Sequence, residues 1–300
     1  MRERYLNPYT DFGFKKIFGE EVNKDLLIDF LNHLIPDLDS PIEDLQYQKT
    51  EHLPRFEEKR RAIFDLHCQT ESGDRFIVEI QRAKQEHFRD RSLFYSTFPI
   101  QDQSERGKRW NFELQRVYTI SLLDFIIEES EKHKDVYIQD HQIKNQFNEI
   151  ANPKLRMIYV EMPKFRKGIH ELETHMDKWL YVLKNMAALE DRPKELQERI
   201  FQKIFEVAEI GKLDPKEYNV YQEELKVYWD LNNVIDFAEK AAKEEGRMEG
   251  RMEGRMEGRE EGRRNEKIAI AKNLISLNIS TEQIIQATGL SANDIDAMRE

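Results

Sequence analysis

Two acidic residues and a glutamine form the pattern in this sequence that is most capable of chemistry. Thirteen residues separate Asp65 from Glu79, and Gln81 follows Glu79 after one intervening residue. On adjacent strands, the two carboxylates could share a hard divalent cation such as Mg²⁺, with the backbone carbonyl of Ile80 as a third oxygen ligand. Such a cation can activate water and stabilise the anionic transition state of phosphodiester hydrolysis. Gln81 could orient the attacking water or contact the scissile phosphate.

A β-hairpin is predicted to carry these side chains. Residues 61–70 and 75–82 alternate apolar and polar types around the turn Glu71-Ser72-Gly73-Asp74. Because strand side chains alternate between the two faces of a sheet, each strand has an apolar and a polar face. The predicted apolar set is Phe64, Leu66, Cys68, Phe76, Val78 and Ile80, and the predicted polar set is Asp65, His67, Gln69, Glu79 and Gln81. An acid on the solvated face of a hairpin is common, so the spacing is not decisive by itself.

The composition describes a globular chain without an overall basic character. Of the 300 residues, 39% are hydrophobic and 35% are charged, and the formal net charge is −11. A surface for nucleic acid would therefore be a local basic patch. The candidate patches, any one of which is more often ordinary solvated surface, are Lys15 with Lys16, Lys59 to Arg61, Arg82 with Lys84, Arg89 with Arg91, and Lys108 with Arg109. Lys15, Lys16, Arg82 and Lys84 are the predicted substrate contacts.

Other kinds of site have little support in the sequence. The single cysteine, Cys68, excludes an internal disulfide and suits a buried structural position in a reducing cytoplasm. The N-terminus lacks the apolar segment of a signal peptide, and no apolar run is long enough to span a membrane, so we expect a cytoplasmic protein. The eight histidines show no ligand spacing such as H-E-x-x-H, which makes His67 a neighbour of the site rather than a ligand.

The remaining elements are predicted to place the hairpin in an α/β fold. Residues 11–34 have helical periodicity that Gly19 divides into two helices, and residues 42–51 indicate a weak strand. A helix over 87–101 followed by a buried strand over 117–125 implies a parallel crossover. A further strand is predicted at 155–160, and residues 170–243 are mostly helical.

The C-terminal part contains the repeat GRMEGRMEGRMEGREEGR, with glycines at 246, 250, 254, 258 and 262. Interior glycines each cost a helix about 1 kcal/mol, so this segment is either a flexible linker or a helix that packs closely against another and drives oligomerisation. Three short helices are predicted over 265–300, with capping signatures at Ser280 and Ser291. Their outline is that of a helix-turn-helix, but the acidic last helix favours a packing module over a DNA reader.

The segment FDLHCQTESGDRFIVEIQRA resembles the metal-binding hairpin of the Rpn family, the recombination-promoting nucleases or putative transposases of the PD-(D/E)XK superfamily. The resemblance extends over about the first 165 residues, through DFGFKKIFGEEVNKDLLIDFLNHLI, RDRSLFYSTFPIQDQ, VYTISLLDF and VEMPKF. It implies an α/β core with a mixed central sheet and a helical C-terminal extension, together with Mg²⁺- or Mn²⁺-dependent cleavage of DNA linked to recombination or mobile elements. By position, Asp65 and Glu79 are the metal ligands, and Gln81 stands where most of the superfamily has lysine.

We therefore expect four segments: a nuclease-like domain over 1–168, a helical extension over 169–245, the repeat over 246–264, and a three-helix segment over 265–300. A glutamine cannot supply the positive charge of a lysine, so catalysis would depend more on the metal, or on Arg82 or Lys84. The alternative is a catalytically silent DNA-binding or assembly protein that self-associates through its C-terminal helices.

Overall fold

The computed structural model describes residues 3–52, 62–104, 111–127 and 132–299. The patches predicted at Lys59 to Arg61 and at Lys108 with Arg109 lie outside these residues. The helices are α1 Asp11–Phe18, α2 Lys24–Leu34, α3 Phe88–Gln101, α4 His175–Asn185, α5 Arg199–Val207, α6 Pro215–Ser276, α7 Thr281–Thr288 and α8 Ala292–Asp296. The strands are β1 Leu45–Tyr47, β2 Glu51–His52, β3 Ala62–Ile63, β4 Leu66–Thr70, β5 Arg75–Gln81, β6 Val117–Leu123, β7 Ile138–Lys144 and β8 Ile150–Glu161.

Six strands form one mixed sheet in the order β1-β4-β5-β6-β8-β7. Strands β1, β4 and β5 pair antiparallel, β5, β6 and β8 run parallel, and β7 returns antiparallel to β8. The predicted hairpin and the predicted parallel crossover through α3 are both confirmed. The predicted α/β class with a mixed central sheet is confirmed as well.

Strand β7 is absent from the sequence-based prediction. Its sequence is Ile-Gln-Asp-His-Gln-Ile-Lys, and none of its described side chains is fully buried. It lies at the edge of the sheet and pairs only with β8 there. An edge strand with two solvated faces lacks the alternation that identifies a strand in a sequence.

The sheet is covered on both faces. On one face, α1, α2, α4 and α5 pack on it in the main hydrophobic core, whose largest buried side chains include Phe14, Phe30, Trp179 and Phe201. On the other face, α3 covers smaller clusters around Ile77 and Leu123. The boundary predicted at residue 168 therefore falls within a single hydrophobic core, because α4 and α5 are part of it.

The N-terminal pair of helices shows how local sequence sets this packing. The Thr10 hydroxyl accepts a hydrogen bond from the Gly13 N–H and caps α1, and α1 ends at Phe18, directly before Gly19, as its sequence predicts. A side chain at position 13 would meet the carbonyl oxygen of Asn7 at 2.2 Å, so this turn requires glycine.

The chain divides into two compact units, Met1–Leu231 and Asn232–Glu300. In the second unit, α7, α8 and the end of α6 pack around Ala271, Ile284 and Ile295. The glycine repeat is helical throughout as part of α6, and a Cβ added at any of its five glycines would meet nothing within 4 Å. No helix in the described part of the chain is long and apolar enough to cross a membrane.

Candidate active site

A bend in the chain positions Asp65. The residue lies at a bend immediately before β4 and is not part of a continuous strand over 61–70. The prediction that Phe64 shares a face with Leu66 and Cys68 is wrong. Leu66 and Cys68 belong to the main core, whereas Phe64 packs with Ile77 on the opposite face of the sheet. The bend reverses the alternation because Phe64 completes the hydrophobic cluster under α3.

The register of the hairpin brings Asp65 beside the end of β5. Leu66 pairs with Val78, so the next positions along the two strands are Asp65 and Glu79. The carboxylate oxygen Oδ2 of Asp65 accepts a hydrogen bond of 2.8 Å from the backbone N–H of Ile80. The N–H and C=O of one strand residue point toward the same neighbouring strand, so the Ile80 carbonyl faces the same side as Asp65.

Glu79 is a buried acid without a full set of partners. Its side chain is 4% exposed, and Oε1 has no hydrogen-bond partner within the described residues. Burial, and then the negative charge of Asp65, raise the pKa of Glu79 to about 8. Burial also raises the pKa of Asp65, against the hydrogen bond from Ile80. A carboxylate whose pKa is raised by burial and by a neighbouring acid is a common setting for a bound cation.

Gln81 and Arg91 complete the polar cluster. Nε2 of Gln81 donates to Oε2 of Glu79 at 3.2 Å, and Oε1 of Gln81 accepts a long hydrogen bond of 3.4 Å from Arg91. The Arg91 guanidinium also lies over the ring of Tyr95, 4.9 Å from its centroid. Its positive charge lowers the pKa of Glu79, although burial outweighs it. Arg91 therefore brings to this site the charge that Gln81 lacks.

The four predicted substrate contacts lie in different environments. Lys15 is exposed and forms a 2.9 Å ion pair with Asp11, and both Lys15 and Arg82 attract Asp65 electrostatically. The guanidinium of Arg82 lies 5.9 Å from the ring centroid of Tyr228. Lys84 is exposed, in the segment between β5 and α3.

Lys16, in contrast, is held by two carboxylates. Its Nζ lies 2.9 Å from Glu20 and 2.7 Å from Glu217 at the start of α6. These contacts tie α1 to α6 and use the lysine's charge within the protein. Lys15 rather than Lys16 is thus the residue of this pair that acts on Asp65.

The other hairpin residues have structural surroundings. His67 is buried, with Nδ1 3.2 Å from the carbonyl oxygen of Lys49 and its ring edge-on to Phe64. Cys68 is fully buried, and burial raises the pKa of its thiol to about 12, so it stays protonated and unreactive. The predicted burial of Cys68 on the apolar face is confirmed.

Sequence reasoning did not select Arg91 as a site residue. Arg91 lies one helical turn after the start of α3, within the segment RDRSLFYSTFPIQDQ, and this position is the feature of the sequence that could have pointed to it. The basic patch predicted at Arg89 with Arg91 includes it, but spacing alone does not distinguish one arginine of that helix from another.

A mixed sheet with two acids at the end of an antiparallel hairpin is the arrangement of the nuclease-like α/β proteins of the PD-(D/E)XK type. The chain belongs to the PD-(D/E)XK nuclease family transposases, because the model of that family matches residues 8–238. This finding confirms the resemblance drawn from the sequence and indicates a nuclease linked to transposition. No curated protein and no solved structure matches the chain.

Proposed function

We propose that this chain is a divalent-cation-dependent DNA endonuclease, with the cation held by Asp65, Glu79 and the backbone carbonyl of Ile80. The observation that carries the proposal is the meeting of the buried Glu79 carboxylate with the half-buried Asp65 carboxylate at the end of the hairpin, where Asp65 accepts a hydrogen bond from Ile80 and raises the pKa of Glu79. Membership in the nuclease family supports DNA as the substrate.

The residues present fit a hard cation. Glu79 offers the buried oxygen Oε1, which has no hydrogen-bond partner in the described part of the chain, and Asp65 offers Oδ1 while Oδ2 is bound by Ile80. Carboxylate and carbonyl oxygens are the ligands that Mg²⁺ and Mn²⁺ prefer. When bound, the cation lowers the pKa of a coordinated water and offsets negative charge on the phosphate.

The protein groups around the site have separate tasks in this proposal. Gln81 holds Glu79 through its amide N–H, which keeps Oε1 oriented toward the cation. Arg91 supplies positive charge next to Gln81, where it can stabilise the developing charge on the phosphate. Lys15 and Arg82, close enough to Asp65 to act on its pKa, are suited to contact the flanking phosphates of the DNA, and Lys84 lies next along the chain.

A plasmid-nicking assay with Mg²⁺ or Mn²⁺ tests the proposal. We expect Asp65→Asn and Glu79→Gln to lower the cleavage rate by at least about 10²-fold, because each removes a ligand needed for transition-state stabilisation. Glu71→Gln, in the exposed turn of the same hairpin, is the matched control and should cut like the wild type. Equal cutting by all four proteins would reject the assignment.

Our second proposal is that the chain self-associates through α6. This property is also the one that the alternative function, an assembly protein, would require. Successive residues of a helix are about 100° apart, so Glu245 lies within, and Arg255 at the edge of, a face of this segment that carries six apolar side chains. They are Val234, Phe237, Ala241, Met248, Met252 and Met256. The five larger members are 57% to 76% exposed. Such a row, exposed to solvent, suits contact with the same row of a second copy.

The charges beside this row select a parallel pair. Arginines 251 and 255 line one flank of the methionines, and glutamates 249 and 253 line the other. In a parallel two-fold pair the arginine flank of one helix faces the glutamate flank of its partner, whereas an antiparallel pair opposes like charges.

We expect Met252→Cys to form a disulfide between copies on mild oxidation. The native Cys68 is buried and should not take part in this reaction. Gly254→Cys, on the other side of the helix, is the control and should remain monomeric on a non-reducing gel; equal cross-linking of both variants, or of neither, would contradict the parallel pair.

A cytoplasmic location is also proposed. The proposal is supported by Cys68, the single cysteine, which is a buried free thiol, because proteins of reducing compartments rarely contain disulfides.

A further inference from the structure

Three side chains outside the nuclease site converge on one point between α2 and α4. Asp29 and His33 lie one helical turn apart on α2, and His175 is the first residue of α4. One ligand atom from each of the three lies within 4.8 Å of the others. Sequence analysis did not identify this set, because its histidines are 142 positions apart and only the Asp-x3-His spacing on α2 is local.

The three side chains are arranged around one oxygen. His175 Nε2 lies 2.7 Å from Oδ2 of Asp29, and His33 Nδ1 lies 3.6 Å from the same oxygen and 2.8 Å from the backbone carbonyl oxygen of Asp29. The two imidazole rings stack with their centroids 3.9 Å apart and their planes inclined by 23°. Both imidazoles contact one carboxylate, and a single cation can join all three side chains once the rings turn out of their stack, because a ligating nitrogen binds a cation in the plane of its ring.

A buried tryptophan fixes the carboxylate. The indole N–H of Trp179, whose side chain is fully buried, donates to Oδ2 of Asp29 at 2.7 Å. Hydrogen bonds of this kind orient the ligands of protein metal sites. The histidines are 40% and 24% exposed at their side chains, so an ion can enter from solvent and keep water as a further ligand.

We propose that Asp29, His33 and His175 form a binding site for Zn²⁺ or a similar first-row transition-metal ion. Two nitrogen ligands and one oxygen ligand suit this class of cation, whereas Mg²⁺ prefers oxygen alone. In a tetrahedral site with bonds of 2.0–2.1 Å, ligand atoms are about 3.4 Å apart. The separations of 2.7 and 3.6 Å around Asp29 differ from this value by less than about 1 Å, and the stacked rings must also turn so that both nitrogens face the ion. Ligation replaces two contacts with bonds to the ion: the one between His175 and the Asp29 carboxylate, and the one between His33 and the Asp29 backbone carbonyl.

Binding at this site would connect two helices of the main core. Residues of α2 and α4, including Phe30 and Trp179, already pack against each other, with ring centroids 5.7 Å apart. An ion bound only in the folded chain shifts unfolding to higher temperature. The proposed role is thus stabilisation of the helical layer that supports the sheet, separate from hydrolysis.

Calorimetric titration of the metal-free full chain with Zn²⁺ tests the site. The titration uses Asp65→Asn/Glu79→Gln as the parent, so that the nuclease site does not contribute. We expect one equivalent of Zn²⁺ to bind, with excess Mg²⁺ failing to displace it, and we expect the Tm to rise with added Zn²⁺. Adding His33→Ala to the parent should weaken binding by at least about 10-fold and remove the rise in Tm, because one of three ligands is lost.

A matched histidine serves as the control. His170 is exposed and pairs with Glu195 at 3.1 Å, so His170→Ala in the same parent should bind Zn²⁺ unchanged. The metal-free Tm of the His33→Ala protein should equal that of the parent, since His33 is only half-buried. Co²⁺ in place of Zn²⁺ should give d–d absorption of a four-coordinate site in the parent and not in the His33→Ala protein. The proposal is overturned if the parent does not bind Zn²⁺ or if the parent and His33→Ala bind it equally. Neither result affects the nuclease assignment, which the plasmid assay tests with a different ion.

Discussion

The guanidinium group of Arg91 donates a hydrogen bond of 3.4 Å to Oε1 of Gln81, and the amide of the same glutamine donates to Glu79 at 3.2 Å. A cation from α3 is thereby linked to a proposed metal ligand on β5 through a neutral side chain. In most of the superfamily that the sequence resembles, a lysine stands on the strand at the position of Gln81 and carries the positive charge itself. Here the charge is supplied by the helix that crosses over to the next parallel strand.

Removal of this charge should affect cleavage more than folding. We expect Arg91→Ala to lower the single-turnover cleavage rate at saturating Mg²⁺ by about 10²-fold, the usual cost of one donor to a developing anion. Arg91→Lys should recover part of the rate, because it restores charge without the planar geometry of the guanidinium. Similar rates for the alanine variant and the wild type would show that Arg91 only packs against Tyr95.

Binding of the catalytic cation should depend on pH through Glu79. This carboxyl group has a pKa of about 8 in the metal-free protein, so below that pH a proton must leave when the cation binds. We expect the affinity for Mg²⁺ to increase as the pH rises toward about 8 and then to level off. Calorimetry in buffers with different ionisation enthalpies measures the released proton; no difference between buffers at neutral pH would contradict the buried, protonated Glu79.

The same group sets a pH dependence of stability in the absence of metal. The pKa of Glu79 is raised from 4.5 to about 8 on folding, so the folded chain holds a proton that the unfolded chain loses in this range. Its stabilising contribution is therefore complete below the unfolded value and is lost as the pH rises toward about 8. The side chain in Glu79→Gln does not ionise, so the free energy of unfolding of this variant does not fall in the same way as the pH rises.

We expect Glu79→Gln and wild type in EDTA to have similar Tm values near about pH 5, and the variant to be several degrees more stable near about pH 9. Glu71→Gln, in the exposed turn, should show no such divergence. Parallel Tm curves for Glu79→Gln and wild type would mean that Glu79 is ionised in the metal-free fold.

A buried ion pair at the end of β8 should be essential for stability. Nζ of Lys164 lies 2.7 Å from Oε2 of Glu161, and both side chains are almost completely buried. Glu161 also accepts hydrogen bonds from the Ile127 N–H at 2.6 Å and from Gln139 at 2.5 Å. Lys164→Met would leave a buried carboxylate without its cation, at a cost of about 3–5 kcal/mol in the free energy of unfolding.

Urea unfolding measures this cost. The exposed Lys144→Met is the control, with an expected change within about 0.5 kcal/mol. Adding Glu161→Gln to Lys164→Met should recover part of the loss, because the uncompensated charge is removed. A double variant as unstable as the single one would show that lost packing of Lys164, not charge, is the cause.

The parts of the fold that the sequence predicts are those with strong local signals. Gly19 separates α1 from α2 as expected, and the alternation of Phe76, Val78 and Ile80 gives the correct faces of β5. The face of Phe64 could not be predicted. The bend at Asp65 turns Phe64 into a hydrophobic cluster with Tyr95 and Phe98 of α3, and this contact is not visible in the local sequence. The edge strand β7 and the contact from Arg91 depend in the same way on tertiary packing.

The candidate site follows a similar division. Asp65, Glu79 and Gln81 share a local pattern that predicts their proximity, but Asp65 reaches the end of β5 from the bend before β4 and not from the face of a continuous strand. The two histidines beside Asp29 come together only because α4 packs on α2, and no local spacing connects His33 with His175.

The bend at Asp65 also determines how sensitive cutting should be to distant substitutions. Phe64 is anchored in one hydrophobic layer and Leu66 in the other, so the backbone of the aspartate between them is fixed from both sides of the sheet. A smaller side chain at either position would displace the carboxylate although no group that touches DNA had changed. Relatives that keep every acidic residue could therefore become inactive through drift in their interiors alone.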